Sequence, residues 1–155
     1  MQYIQTASDE PEDGAGCIFC AIADGDESDR VLVRGDLGYV VLNKFPYNPG
    51  HLLVVPNRHE GDLASLTTDE NADLQDLLQR SIRALRAESD PHGFNVGMNL
   101  GRIAGAGIPG HLHWHVVPRW SGDTNYMPVV GETRVLPELL ADTYRRLLPR
   151  FEEDA

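Results

Sequence analysis

Cysteine is nearly absent from this chain: only Cys17 and Cys20 occur among 155 residues. A scaffold stapled by several disulfides is therefore excluded, and an ordinary hydrophobic core must hold the fold. Long apolar runs are missing too. No stretch approaches the roughly 20 residues that span a bilayer as a helix. Positive charge is scarce, with 13 Lys and Arg against 24 Asp and Glu and a formal net charge of −11. That sign argues against broad binding to nucleic acid or to an anionic membrane. A small anionic ligand is still allowed. Its site must be locally positive, built from imidazoles, a metal, backbone N–H groups, or residues such as Lys44, Arg102 and Arg119. No internal repeat or low-complexity tract occurs. The acidic stretch from Met1 to Gly16 does not read as a signal peptide, so the cytoplasm is the expected compartment.

What is present fits one domain of ordinary composition, 41% hydrophobic. Residues 1–15 read as a flexible acidic arm, 16–150 as the domain and 151–155 as an acidic tail. Ile18, Phe19 and Ile22 form a short apolar turn. Val31 to Val33, Gly38 to Asn43 and His51 to Val55 read as strands, the last stopped by Pro56. Thr67 and Glu70 have capping-box spacing before Leu74, Leu77, Leu78, Ile82 and Leu85, which recur at helical spacing up to about Glu88. Phe94 to Leu100 is a further strand, with Asn95, Gly97 and Asn99 on one face. Tyr126 to Val130 is a candidate extended segment, and Pro137 opens a last amphipathic helix. Several connections are too short for parallel crossovers. The expected class is α+β with an antiparallel sheet, a long helix and a C-terminal helix.

The densest chemistry lies in His111-Leu112-His113-Trp114-His115-Val116-Val117-Pro118. Along an extended strand, residues two apart share a face about 7 Å from one another. Three imidazoles then line one side while Leu112, Trp114 and Val116 fill the other. Such a face can bind one catalytic metal through all three rings, or present one ring as a nucleophile with its neighbours assisting. Spacing alone leaves both open, beside the plainer reading of a polar strand edge. Cys17-Ile18-Phe19-Cys20 is half a metal site or a redox pair. Gly101 to Gly110 is a glycine-rich loop through which backbone can approach an anion, without the G-K-[ST] ending of a P-loop.

These motifs, taken in order, resemble the HIT (histidine triad) family. The histidine run is similar to its H-φ-H-φ-H-φ-φ signature. Asn43 to Pro56 resembles the stretch that ends in P-G-H-x-L-V-x-P. Asn99-Leu100-Gly101 with Ala104-Gly105 resembles the N-x-G…A-G loop. The resemblance runs from about Cys17 to Trp120 and is nearest to the Fhit-like and bacterial dinucleoside-polyphosphate-cleaving branch. It implies a HIT-like five-stranded sheet and a homodimer. It also implies cleavage of diadenosine polyphosphates through a nucleotidyl intermediate on His113, with His115 and His51 assisting, and retention of configuration after two displacements. Asn43 would take ribose hydroxyls, Asn99 and loop glycines such as Gly105 and Gly107 the phosphate, and Ile18 and Phe19 the base. Some relatives close a structural zinc site with the histidines that match His59 and His111. Cys17, Cys20, His59 and His111 would then form a Cys2His2 zinc site, which removes His111 from catalysis. His115, where the uridylyltransferase branch has glutamine, favours hydrolysis or phosphorolysis. Ala106-Gly107 replaces the Gly-Ser pair of phosphorylase-like relatives, and the loop is one residue longer than in Fhit-like hydrolases. Water and phosphate both stay open as acceptors. The competing readings are a Hint-like nucleoside phosphoramidase, a nucleotide-binding sensor module, and a metal-dependent hydrolase.

Overall fold

In the computed structural model, described for residues 15–25, 30–123 and 138–153, the elements follow as α1 (Ile18–Asp24), β1 (Val31–Arg34), β2 (Gly38–Leu42), β3 (Leu52–Pro56), α2 (Thr68–Ser89), β4 (Gly93–Gly97), β5 (Trp114–Arg119) and α3 (Leu140–Glu152). The strands form one antiparallel sheet in the order β1-β2-β3-β5-β4. The expected α+β architecture with five antiparallel strands is therefore what the chain adopts.

Every residue of β2 and β3 is buried, because both faces of the sheet centre are covered. On one face α2 and α3 pack over Val40, Leu42, Leu52, Val54 and Val116. On the other, α1 packs over Tyr39, Val41, Leu53 and Val55. The Tyr39 hydroxyl donates to the Phe19 carbonyl at 2.8 Å and anchors α1 to the sheet. Gly38 lets α2 lie close: a Cβ there would stand 2.7 Å from Leu74 Cδ2.

Helix α2 begins as its sequence requires. The Thr67 hydroxyl accepts from the Glu70 amide, and the Glu70 carboxylate accepts from the Thr67 amide. Helix α1 ends at Gly25, whose φ of 104° is the left-handed conformation glycine adopts freely.

Several boundaries shift. Pro56 is the last residue of β3, paired with Gly38, rather than its stop. His51 lies just before β3, not within it. The strand expected over Phe94 to Leu100 ends at Gly97, where pairing with β5 ends at His115. In the histidine run only His115 lies on the ladder; His111 and His113 precede it. Phe151 and Glu152, expected in the acidic tail, instead belong to α3, with Phe151 2% exposed in the core. Residues 1–14 of the arm, Tyr126 to Val130, and Pro137 lie outside the described residues.

Candidate functional site

Four segments meet at the two cysteines. Cys17 precedes α1, Cys20 lies within it, His59 follows β3, and His111 leads into β5. Cys17 Sγ is 3.4 Å from His111 Nδ1, and Cys20 Sγ is 3.3 Å from His59 Nδ1 and 3.6 Å from His111 Nδ1. All four ligand atoms lie within 4.8 Å of one another. A tetrahedral ion with metal–sulfur bonds of about 2.3 Å and metal–nitrogen bonds of about 2.0 Å sets S and N about 3.5 Å apart. The donor set thus has the dimensions of a metal site.

The ring orientation agrees. His111 Nε2 lies 2.9 Å from the Pro56 carbonyl, which can only accept. The proton therefore sits on Nε2 and the lone pair of Nδ1 faces the sulfurs, as a ligating imidazole requires. Burial lowers the His111 pKa to about 4, opposed by the hydrogen bond to the Pro56 carbonyl and aided by the nearby His59 and His113. On either side of His59 the loop is pinned. Arg58 donates to Glu70, Glu60 and the Ser65 carbonyl, and the Leu112 amide donates to the Glu60 carbonyl at 2.7 Å.

The same strand entry positions the middle histidine. His113 Nδ1 donates to the carbonyl of His111 at 2.8 Å. Its Nε2 therefore carries the in-plane lone pair, the electron pair that a nucleophile or a metal ligand needs. Its ring lies 5.0 Å from that of Phe19 and 5.2 Å from that of His115.

Backbone sets the tautomers of the other pair. The Tyr47 amide can only donate, and it reaches His51 Nδ1 at 3.0 Å. His51 must then hold its proton on Nε2, which donates to His115 Nδ1 at 2.9 Å. His115 in turn keeps its proton on Nε2. Burial first, then nearby histidines, lowers the pKa of His51 to about 3 and of His115 to about 4. Both rings are neutral near pH 7. Asn43 supports this pair: its Nδ2 lies 3.3 Å from His51 Nδ1, and its Oδ1 accepts from the Phe45 amide.

An open groove of about 570 Å³ adjoins the histidines. His115 and Asn99 line it, with Tyr47, Asn95, Gly97 and Arg119; His113 is not in its wall. Asn99 Nδ2 donates to the Gly105 carbonyl at 3.3 Å and ties the glycine loop to the end of β4. Gly105 has φ 92°, a left-handed conformation, whereas Gly107 does not. Phe19 is 4% exposed and packs as core against His113, whereas Ile18 is 47% exposed beside it. Arg119 does not stand as a bare cation, since it forms a two-point ion pair with Asp123 and donates to Asn95. The Tyr47 amide escaped sequence reasoning, because a backbone donor carries no residue-type signal.

A HIT domain family model matches residues 24–122. The chain belongs to the HIT domain family. A Mycobacterium tuberculosis protein named AP-4-A phosphorylase is 54% identical over 123 residues, covering 79% of this chain. The chain spans 63% of the length of that relative. Adenosine 5′-monophosphoramidase of Schizosaccharomyces pombe is 33% identical over 103 residues, covering 66% of this chain and 74% of that protein. Among solved HIT structures, a Zn-bound histidine triad protein from Mycobacterium smegmatis superposes with TM-score 0.74 at 28% identity, covering 90% of this chain and 96% of that one.

Proposed function

We propose that this HIT protein is an enzyme that cleaves diadenosine polyphosphates, such as diadenosine tetraphosphate, with His113 as the nucleophile. The observation that carries the reading is the ring of His113. Its Nδ1 proton is held by the His111 carbonyl, so Nε2 is the nitrogen able to attack phosphorus. In the first step Nε2 bonds to the α-phosphorus and the bond to the bridging oxygen breaks. The electron pair stays on the departing nucleotide, which leaves as an anion. His115 donates a hydrogen bond from Nε2 to that oxygen, and His51 holds His115 in the required tautomer. In the second step the acceptor attacks phosphorus and releases Nε2. Orthophosphate is the acceptor favoured by the 54% identity to AP-4-A phosphorylase.

The remaining roles in this reading are carried by the family resemblance. Asn43 takes ribose hydroxyls. Asn99, Gly105 and Gly107 take phosphate oxygens, through backbone N–H groups in the case of the glycines. Ile18 forms the exposed rim of the base pocket and Phe19 its inner wall. Cys17, Cys20, His59 and His111 hold a structural zinc ion, which fixes the strand entry whose carbonyl orients His113. A homodimer through the sheet edge and a cytoplasmic location complete the proposal. A phosphoramidase reading stands second, supported by the Schizosaccharomyces pombe relative. Rates on diadenosine tetraphosphate and on adenosine 5′-phosphoramidate separate the two.

Product analysis tests the main reading. With orthophosphate present, diadenosine tetraphosphate yields ADP and ATP; with water alone as acceptor it yields AMP and ATP. His113→Ala lowers turnover by at least about 10³-fold, the scale of loss when a nucleophile is removed. It also abolishes the nucleotidyl adduct seen by intact-protein mass spectrometry. An adduct that persists in His113→Ala overturns the reading.

A further inference from the structure

We propose that Asn48 and Asp123 are positioning residues for the reaction: together they hold the turn whose Tyr47 amide sets the protons on His51 and His115. The proposal rests on the reading of His113 as nucleophile and adds what keeps His115 able to donate to the leaving oxygen.

The connection between β2 and β3 has few means of fixing itself. It contains Pro46 and Pro49, which carry no amide hydrogen. Asn48, next to Tyr47, ties it down on two sides. Its carbonyl accepts from the His51 amide at 3.1 Å. Its side-chain Nδ2 donates to the Pro118 carbonyl at 3.0 Å and to Asp123 Oδ2 at 2.8 Å. The Arg119 guanidinium holds the Asp123 carboxyl well below the usual carboxylate range, so it is ionised near pH 7. Both partners of the Asn48 amide can then only accept, and both hydrogens of Nδ2 are used. The two bonds reach 70 and 75 positions along the chain. They fasten the turn to the end of β5, the strand that carries His115.

Asp123 is held firmly enough to serve. Its Oδ2 accepts from Arg119 Nε at 2.7 Å and from the Trp120 amide at 3.1 Å, and its Oδ1 accepts from Arg119 Nη2 at 2.8 Å.

The position of the Tyr47 amide decides the protons beyond it. Asn43 Nδ2 lies 3.3 Å from His51 Nδ1 and 3.5 Å from His51 Nε2, so it does not choose between the two nitrogens. The Tyr47 amide does, at 3.0 Å from Nδ1. If that amide withdraws, a proton on Nδ1 of His51 is no longer disfavoured. His51 Nε2 then accepts from His115 Nδ1, and His115 Nε2 is left with a lone pair where it needs a hydrogen. His113 stands outside this chain of bonds, because the His111 carbonyl holds its Nδ1 proton.

The test follows protons and turnover together. Histidine 15N spectra at pH 7 distinguish protonated from unprotonated ring nitrogens, and His51→Gln assigns the His51 signals. In Asn48→Ala, His51 and His115 are expected to show mixed tautomers while His113 keeps the parent form. The kcat for diadenosine tetraphosphate is expected to fall at least about 10-fold, part of the roughly 10²–10⁴-fold that a positioned proton donor supplies. KM stays within about 2-fold, as for an interaction made only in the transition state. Asp123→Ala gives the same pattern more weakly, since the bond to Pro118 remains. Asp123→Asn, which keeps an oxygen toward Asn48, stays near the parent in both readouts.

Parent tautomers at His51 and His115 in Asn48→Ala overturn the proposal whatever the rate does. A raised KM at unchanged kcat also overturns it, because Asn48 would then touch substrate. Loss of the His113 tautomer along with the other two overturns it as well, since the effect would be general disorder. If Asn48→Ala does not fold, the two Asp123 variants decide: equal tautomer ratios in Asp123→Ala and Asp123→Asn sink the proposal. A parent protein that forms no His113 adduct removes the reading of the reaction instead, and the tautomer ratios still decide what Asn48 and Asp123 hold in place.

Discussion

The two faces of the sheet use burial for opposite ends. Under α2 and α3, Val40, Leu52, Val54, Leu77, Leu85 and Leu147 are buried as hydrocarbon, and each gains from leaving water. On the other face, His51 and His111 are as deeply buried, at 0% exposed, yet they are polar. Burial there costs free energy unless every ring nitrogen has a partner. The structure supplies partners from the backbone: the Tyr47 amide, the Pro56 carbonyl and the His111 carbonyl. The first face stores stability. The second spends some of it to keep imidazoles neutral and to fix which nitrogen holds each proton.

The comparison breaks most sharply if the metal cluster is removed. Cys17→Ala, or prolonged chelation of the parent protein, is expected to lower Tm by about 10 °C or more, because binding energy at a structural site is folding energy. Activity falls with it, since the His111 carbonyl then no longer holds His113. Metal content by atomic emission, followed alongside calorimetry, checks this. Parent-like Tm after complete metal loss would show that the histidine face stands without the ion.

Next in size is the hydrocarbon face. Leu85 is fully buried and packs beneath Gly50, where an added Cβ would approach Leu85 Cδ2 to 2.9 Å. Leu85→Ala is expected to cost about 2–5 kcal/mol in urea unfolding while KM stays within 2-fold. A KM change as large as the stability loss would show that the faces are not independent.

The smallest effect is the pH response. His51 and His115 have folded pKa values of about 3 and about 4, against about 6.5 when unfolded. Between these limits the unfolded chain binds protons that the folded chain refuses. Stability is therefore complete above about pH 6.5 and declines as pH falls toward about 4. The Glu70 carboxyl, held down to about 2 by Arg58, protonates only at lower pH. Urea unfolding at pH 7 and pH 5 is expected to show the decline, and His51→Gln to reduce its slope. An unaltered slope in His51→Gln would assign the acid sensitivity elsewhere.

Most of the architecture was legible from residue spacing. Alternation placed Trp114 and Val116 opposite the histidines, and the Thr67–Glu70 pair gave the start of α2 to within one residue. Boundaries were less legible. Pro56 tolerates a strand position, and β4 stops at Gly97 because its pairing with β5 ends there. Arg119 shows the limit of reading charge from sequence: it looked available to phosphate, but Asp123, four residues on, binds it.

The sequence by itself determined which residues share a face, since strand and helix periods of 2 and 3.6 are local properties of the backbone. It also supplied four possible metal ligands and three neighbouring imidazoles. Only the tertiary structure decided that Cys17 meets His111, 94 positions away, and that His51 meets His115, 64 positions away. Strand order, not spacing, brings those pairs together. The proton on each ring was likewise settled by single backbone groups of Tyr47, Pro56 and His111. Every residue but proline carries the same amide and carbonyl, so no sequence pattern can say which of them will face an imidazole.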